Sequence, residues 1–267
     1  VFAFITLGTM FTIQAAVTIV TASIAAYLFG GITTNIMAWV FILLITCSVL
    51  LMIGRYTLLD SVMKIIVITL SLITLLAVIL AFCKTSQVIN FTQVFPADSF
   101  GLLFVIAFIG WMPAPLDLSV WHSLWVLEKS KQSQEGFDVK QSLFDFNVGY
   151  IGTTVLALFF VALGALVMFN SGEAFSPKGT VFARQLIELY TSTLGNEMGL
   201  FVGLAAFITM FSTTITCLDA LPRSMAKAHC LLKSEHNSGS QDEDKIVDVP
   251  KKYYFGWMAV LIVGSLI

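Results

Sequence analysis

The sequence predicts an all-α fold, a polytopic bundle of membrane-spanning helices, and three observations predict it. First, 58% of the 267 residues are hydrophobic and 11% are charged, against roughly 25% charged in soluble domains. Second, the mean hydropathy is +0.92. Third, apolar runs of about 20 residues, the length that crosses a hydrocarbon core, recur along the chain. They lie at 3–29, 36–54, 60–83, 100–126, 143–169 and 197–219, and a further run begins at 253–267. All are read as one transmembrane domain over 1–267.

Lysine and arginine concentrate in cytoplasmic loops. One set of alternate loops holds Arg55, Lys64, Lys129, Lys131, Lys140, Arg223, Lys227, Lys233, Lys245, Lys251 and Lys252, eleven of the 14 basic residues. The other set holds Lys84, Lys178 and Arg184. The first helix is therefore expected to run from inside to outside, with loops 55–59, 127–142 and 220–252 cytoplasmic. A net charge of −2 without a basic cluster excludes a nucleic-acid footprint. Cys47, Cys83, Cys217 and Cys230 lack metal-finger spacing and read as small apolar fillers. The three histidines are dispersed and no nucleophile–base pair converges, so no enzyme, catalytic residue or cofactor is expected. Both termini fall inside apolar runs, which reads as a fragment of a longer chain.

The first helix is polar for a span, with Thr6, Thr9, Thr12, Gln14, Thr18, Thr21 and Ser23 among small alanines. Such residues let helices approach closely and bond across their interface, so it belongs inside the bundle. Gln14 admits two readings, an interhelix hydrogen bond or a contact on a substrate path. The second and third helices are plain aliphatic spans, with Trp39 as an interface anchor.

The fourth segment carries Gly110, Pro113 and Pro115 at mid-depth. Proline removes an amide donor and clashes with the carbonyl four residues back, so the helix breaks near 110–115. Freed backbone groups at that depth are tolerated only in protein or along a wet cavity. The break is either a structural kink or part of a substrate path lined by Met112, Asp117, Ser119 and His122. Asp117, an ionisable residue within a span, either lines an inner vestibule or pairs with a neighbouring helix. His122 lies among Trp121 and Trp125, read as interface aromatics.

In the fifth helix, Asp145 and Asn147 sit near the cytoplasmic end and suit solvation or capping. The outer loop predicts an amphipathic helix over Thr180–Leu194 with Phe182, Leu186, Leu189 and Tyr190 on one stripe. The sixth span ends in hydroxyls at 212, 213, 214 and 216, at least one of which must point inward. They serve either an ion path, for which Thr213 and Thr216 are the candidates, or interhelix bonds. Asp219 and Arg223, at i and i+4, predict a salt-bridged helix end. The polar stretch 234–248 is expected to be a disordered cytoplasmic loop.

The helix order, the Trp111-Met112-Pro113 break and the tail Ser212-Thr213-Thr214-Ile215-Thr216 resemble the Nramp family of divalent metal transporters, in its bacterial Gly-Trp-Met-Pro branch. The resemblance implies the leucine-transporter-like inverted-repeat fold, here helices three to nine in part, in a bacterial inner membrane. It implies a proton-coupled symporter importing manganese or iron(II), with the ion and protons as substrates and the lipid bilayer as partner. Met112 then matches the metal-touching thioether, and Ile109 the residue whose backbone carbonyl is a ligand. A soft thioether favours these metals over magnesium. Ala114 and Ser119 stand where the family has histidines linked with proton movement. The family's first-helix Asp-Pro-Gly-Asn motif is absent, so it is expected upstream of Val1, and the fragment alone is expected neither to bind metal tightly nor to transport it. The alternatives are a magnesium carrier of that family, an amino-acid carrier of that fold, or a structural or sensory membrane protein.

Overall fold

A computed structural model describes residues 1–53, 56–84, 99–111, 118–132, 139–167, 176, 178–236 and 250–267. Every element among them is helical: α1 (Phe2–Leu28), α2 (Ile36–Ile53), α3 (Tyr56–Lys84), α4 (Ser99–Trp111), α5 (Leu118–Gln132), α6 (Val139–Val167), α7 (Gly179–Leu194), a 3-10 turn (Asn196–Met198), α8 (Gly199–His236) and α9 (Lys251–Ser265). Five of these stretches are long and apolar enough to cross a membrane: Phe2–Leu28, Ile36–Ile53, Ile65–Lys84, Val139–Val167 and Asn196–Lys233. Their outward faces carry exposed aliphatics such as Ile45, Ile68, Leu72, Ile151 and Leu158. In water such faces would be a liability, and in lipid they are the solvent-matched surface. The chain is a multi-pass helical membrane protein.

The chain divides into two compact units. One is Val1–Leu70 with Ala174–Ile267, and the other is Ser71–Glu173. In the first unit α1 is central, packed by α2, α7, α8 and α9. Its buried residues include Thr6, Met10, Gln14, Val17, Thr21 and Ala25, spaced by three and four, so one continuous stripe faces the core. The partners run in register along it. α8 is antiparallel to α1, since Thr21 meets Met210, Gln14 meets Thr214, and Ala3 shares a groove with Met225. α9 is parallel, with Trp257 near Ala3 and Gly264 against the Phe11 ring.

Close approach depends on missing side chains. A Cβ on Gly264 would strike Phe11, one on Gly179 would strike Ser23, and one on Gly203 would lie 2.6 Å from Leu28 and 3.2 Å from Ile187. At the far end of α1 the alanines Ala22, Ala25 and Ala26 pack with Trp39, Val40, Leu43 and Leu44 of α2. Asn35 caps α2, its Oδ1 accepting from the Met37 and Ala38 amides at 2.9 and 3.4 Å. Trp39 is 8% exposed and donates to the Thr33 carbonyl at 2.9 Å. It pins the α1–α2 turn and is not the outward interface anchor expected of it.

The helix α7 matches the amphipathic segment expected in the outer loop. Ala183, Ile187, Leu189 and Tyr190 are buried, while Phe182 and Leu186 are half-buried. It stops at Gly195, whose φ of 98° favours a residue without Cβ and whose amide closes on Thr191 at 2.8 Å.

The largest departure concerns α8. The loop expected at 220–252 is helical as far as His236, through Pro222. Proline withholds one amide, from the Leu218 carbonyl, and the rest of the turn is held across it. Arg223 bridges back to Asp219 at 2.8 Å, and Leu221, Met225 and Ala226 are buried. Tyr254 of α9 donates to Asp219 Oδ1 at 2.7 Å, and the Arg223 guanidinium lies 5.3 Å from its ring centroid. The expected salt bridge is therefore present, as a clamp between α8 and α9. Helix also occupies 127–132 and 139–142, where loop was expected, and α3 begins at Tyr56. Most of the loop expected at 234–248 lies outside the described residues.

Gly203→Val should overpack the α1–α7–α8 junction by about 1–3 kcal/mol. Its apparent melting temperature in detergent should fall clearly, whereas Gly8→Ala, where an added Cβ meets nothing within 4 Å, should not lower it. Tyr254→Phe should cost about 1.5–3 kcal/mol through the lost bond to a charged acceptor. Unchanged melting of that variant would dismiss the clamp.

Candidate functional site

The polar residues of α1 meet α8 in a buried seam. Gln14, Thr18, Thr21 and Thr214 are at most 2% exposed. Thr18 Oγ1 donates to the Gln14 carbonyl at 2.7 Å and accepts from Gln14 Nε2 at 3.1 Å. The same Nε2 reaches the Thr214 carbonyl at 3.5 Å. The hydroxyls of Thr21 and Thr214 lie 2.8 Å apart, and each also sits near the Val17 and Met210 carbonyls. Two hydroxyl protons serve these contacts. One must run between the threonines and the other must end on a carbonyl, which leaves two proton orders in the same heavy-atom frame.

Because both neighbours of the Gln14 amide act there as acceptors, its NH2 must face them. Its Oε1 then has no hydrogen-bond partner among the described residues. An orphaned buried acceptor costs about 1–3 kcal/mol, so this oxygen is the seam's unsatisfied group among the described residues. Of the hydroxyls at the end of the sixth span, Thr214 is the inward one. The candidates Thr213 and Thr216 are half-buried, and Thr213 donates to the Thr209 carbonyl at 3.0 Å. The spacing of four nearly adjacent hydroxyls could not single out Thr214.

The second unit holds α4 and α5. α4 closes at Trp111 and α5 opens at Leu118; Met112 and Asp117 lie outside the described residues, as does the side chain of Ser119. Ile109 stands in the last turn of α4 with its side chain 68% exposed. Its helical partner at i+4 would be Pro113, and that of Trp111 would be Pro115. Proline has no N–H, so both carbonyls are denied an α-helical bond by covalent structure alone.

On α5, Trp121 is 3% exposed, which removes it from the interface belt expected of it. Its ring sits edge-on to Trp125 at 6.2 Å. His122 is half-buried, tilted against Phe146 at 5.2 Å, and Phe146 stacks on Tyr150 at 5.8 Å. Trp121 Nε1 and His122 Nε2 are buried without a hydrogen-bond partner among the described residues. Two ring nitrogens in the first turns of α5 are thus buried and unsatisfied among the described residues.

No group of three or more His, Cys, Asp or Glu side chains arranged to hold a metal occurs among the described residues. The four cysteines form no disulfide; Cys47 and Cys217 are buried among apolar neighbours.

The chain is similar to an uncharacterized protein of Pasteurella multocida (strain Pm70), 37% identical over 202 residues that make up 74% of this chain and 46% of that one. It therefore spans slightly under half the length of that relative. No family model matches the chain, and no solved structure matches it.

Thr214→Val keeps the side-chain shape and removes the hydroxyl joining the helices, so it should cost about 1 kcal/mol. Gln14→Leu removes the orphaned oxygen together with the amide donor and should be nearly neutral. Melting curves of the two variants in one detergent–lipid mixture compare them. A larger loss at Gln14 than at Thr214 would mean that the orphaned oxygen has a stabilising partner in the membrane.

Proposed function

We propose that the protein is a secondary transporter that carries a divalent transition-metal ion, manganese or iron(II), across the membrane with protons. The observation that carries this reading is the end of α4. Within an apolar segment, the carbonyls of Ile109 and Trp111 each have a proline at i+4, beside the thioether of Met112 in the sequence. Carbonyl oxygens freed at membrane depth and a soft sulfur together make a donor set suited to manganese or iron(II) and poorly suited to magnesium. That pairing, with the Trp111-Met112-Pro113 motif, is what favours the Nramp resemblance and its inverted-repeat fold.

In this reading the ion meets Met112 and the Ile109 carbonyl, and the aspartate and asparagine of an Asp-Pro-Gly-Asn helix supply the other ligands. Ala114 replaces a histidine that the family links with proton movement. His122, with its unpartnered Nε2, and Asp117 are the proton-handling candidates on this side of the break. Gln14 Oε1 and the exchangeable Thr21–Thr214 hydroxyl pair offer a second polar foothold in the other unit. The proposed setting is a bacterial inner membrane, with the lysine-rich loops in the cytoplasm.

The test is uptake into proteoliposomes by the protein together with the Asp-Pro-Gly-Asn helix. Wild type should take up manganese in preference to magnesium, and a protonophore should slow uptake driven by an imposed proton gradient. Met112→Ala should reduce the manganese preference about tenfold or more, the scale of losing one soft ligand. Full retention of that preference would sink the thioether assignment.

A further inference from the structure

At one end of the first unit, the start of α1, the last third of α8 and the start of α9 enclose a groove of about 400 Å³. Its wall is apolar, made by Ala3, Met225, Ala228, Leu232 and Trp257. Its edge is not: His229 and Lys233 border it. Tyr253 organises that edge. Its hydroxyl accepts from Lys233 Nζ at 3.3 Å, the Lys252 ammonium lies 5.2 Å from its ring centroid, and the His229 ring packs on it at 4.7 Å. Lys233 and Lys252 are exposed, so two ammonium groups from different helices flank one phenol at the mouth of an apolar slot.

The described residues around the groove are mostly basic, while the intervening 237–249 of the sequence carries Asp242, Glu243, Asp244 and Asp248 beside Lys245. Over 220–236 and 250–260 the sequence holds Arg223, Lys227, Lys233, Lys251 and Lys252 against Glu235. Arg223 is engaged by Asp219 of the same helix. This is also the end that the basic-residue distribution assigns to the cytoplasmic leaflet, which is the anionic one. Trp257, Tyr253 and Tyr254 lie where aromatic side chains mark the boundary between hydrocarbon and headgroups.

We propose that this groove is a binding site for an anionic phospholipid of the cytoplasmic leaflet. The phosphate sits between Lys233 Nζ and Lys252 Nζ, with the Tyr253 hydroxyl as an additional donor, and an acyl chain lies along Ala3, Met225, Ala228 and Trp257. A zwitterionic lipid fills the same slot but brings its own cation toward the lysines, so charge selects the occupant while shape admits either. The bound lipid bridges α8 and α9 on the far side of Tyr254 from the Asp219 clamp.

Native mass spectrometry of the purified chain, titrated with equimolar phosphatidylglycerol and phosphatidylcholine, tests the site. Wild type should retain phosphatidylglycerol preferentially. Lys233→Gln and Lys252→Gln should each lower that preference about fivefold, the scale of one lysine at an anionic surface. Lys178→Gln with Arg184→Gln, at the opposite end of the unit, should leave it unchanged. Ala228→Phe, which fills the slot without touching charge, should reduce retention of both lipids. An unchanged preference in the two lysine variants would overturn the proposal. So would equal loss in the Lys178/Arg184 control, which would indicate diffuse charge. Displacement of the lipid by millimolar inorganic phosphate would overturn it in favour of a free-phosphate site.

Discussion

The constraint on which the first unit depends is that polar groups within a hydrocarbon layer must find partners inside the protein. α1 carries an unusual load of them and discharges it in two ways. Thr18, Thr21 and Ser23 turn back onto the carbonyls of Gln14, Val17 and Ile19 at 2.7 Å, which keeps each hydroxyl satisfied without a neighbour. Thr21 and Gln14 also reach across to α8, the Thr21 hydroxyl lying 2.8 Å from that of Thr214 and the Gln14 amide donating to the Thr214 carbonyl at 3.5 Å. Between lipid-matched helices there is little hydrophobic drive to associate, so these cross-links and close packing carry the assembly. The alanines of α1 and the glycines facing it from α7, α8 and α9 supply that closeness. Polar bonding and small residues are thus one device, since the hydroxyls meet only if the backbones approach.

The same constraint acts in reverse in the second unit. There Pro113 and Pro115 withhold the i+4 amide from the Ile109 and Trp111 carbonyls of α4, and α5 follows with two ring nitrogens that have no hydrogen-bond partner among the described residues. In a bundle built for stability alone, such groups would be replaced by apolar residues at little cost. They lie in the last turn of α4 and the first turns of α5, on either side of 112–117. In α1 the buried polar groups are paired within the helix or across to α8, Gln14 Oε1 excepted.

How far the sequence discloses this depends on the kind of signal. The location of α1 inside the bundle follows from its threonines and alanines, and the α7 stripe from its period, because each pattern extends over several turns. The length of α8 was hidden by Pro222, a stop signal that tertiary contacts override when flanking residues such as Leu221 and Met225 are buried. Trp39 and Trp121 were misplaced because tryptophan's preference for interfaces is statistical, whereas each of these rings is held by a specific neighbour, Phe29 for one and Trp125 for the other. Thr214 was indistinguishable from its hydroxyl neighbours until the helix phase against α1 was known. The candidate ligand Met112 lies outside the described residues, and only the covalent fact of proline at i+4 bears on Ile109.

Helix length links the seam to the charged end of the unit. Asp219 lies 20 residues after Gly199, which at 1.5 Å per residue places it ~30 Å along the axis, the thickness of a hydrocarbon core. In the clamp of Asp219, Arg223 and Tyr254 the carboxylate is 8% exposed between helices while its guanidinium partner is 28% exposed. Beyond the clamp α8 carries Lys227, His229 and Lys233, and it continues past the end expected of it because Met225 and Ala226 are buried and His229 packs on Tyr253 and Trp257 of α9.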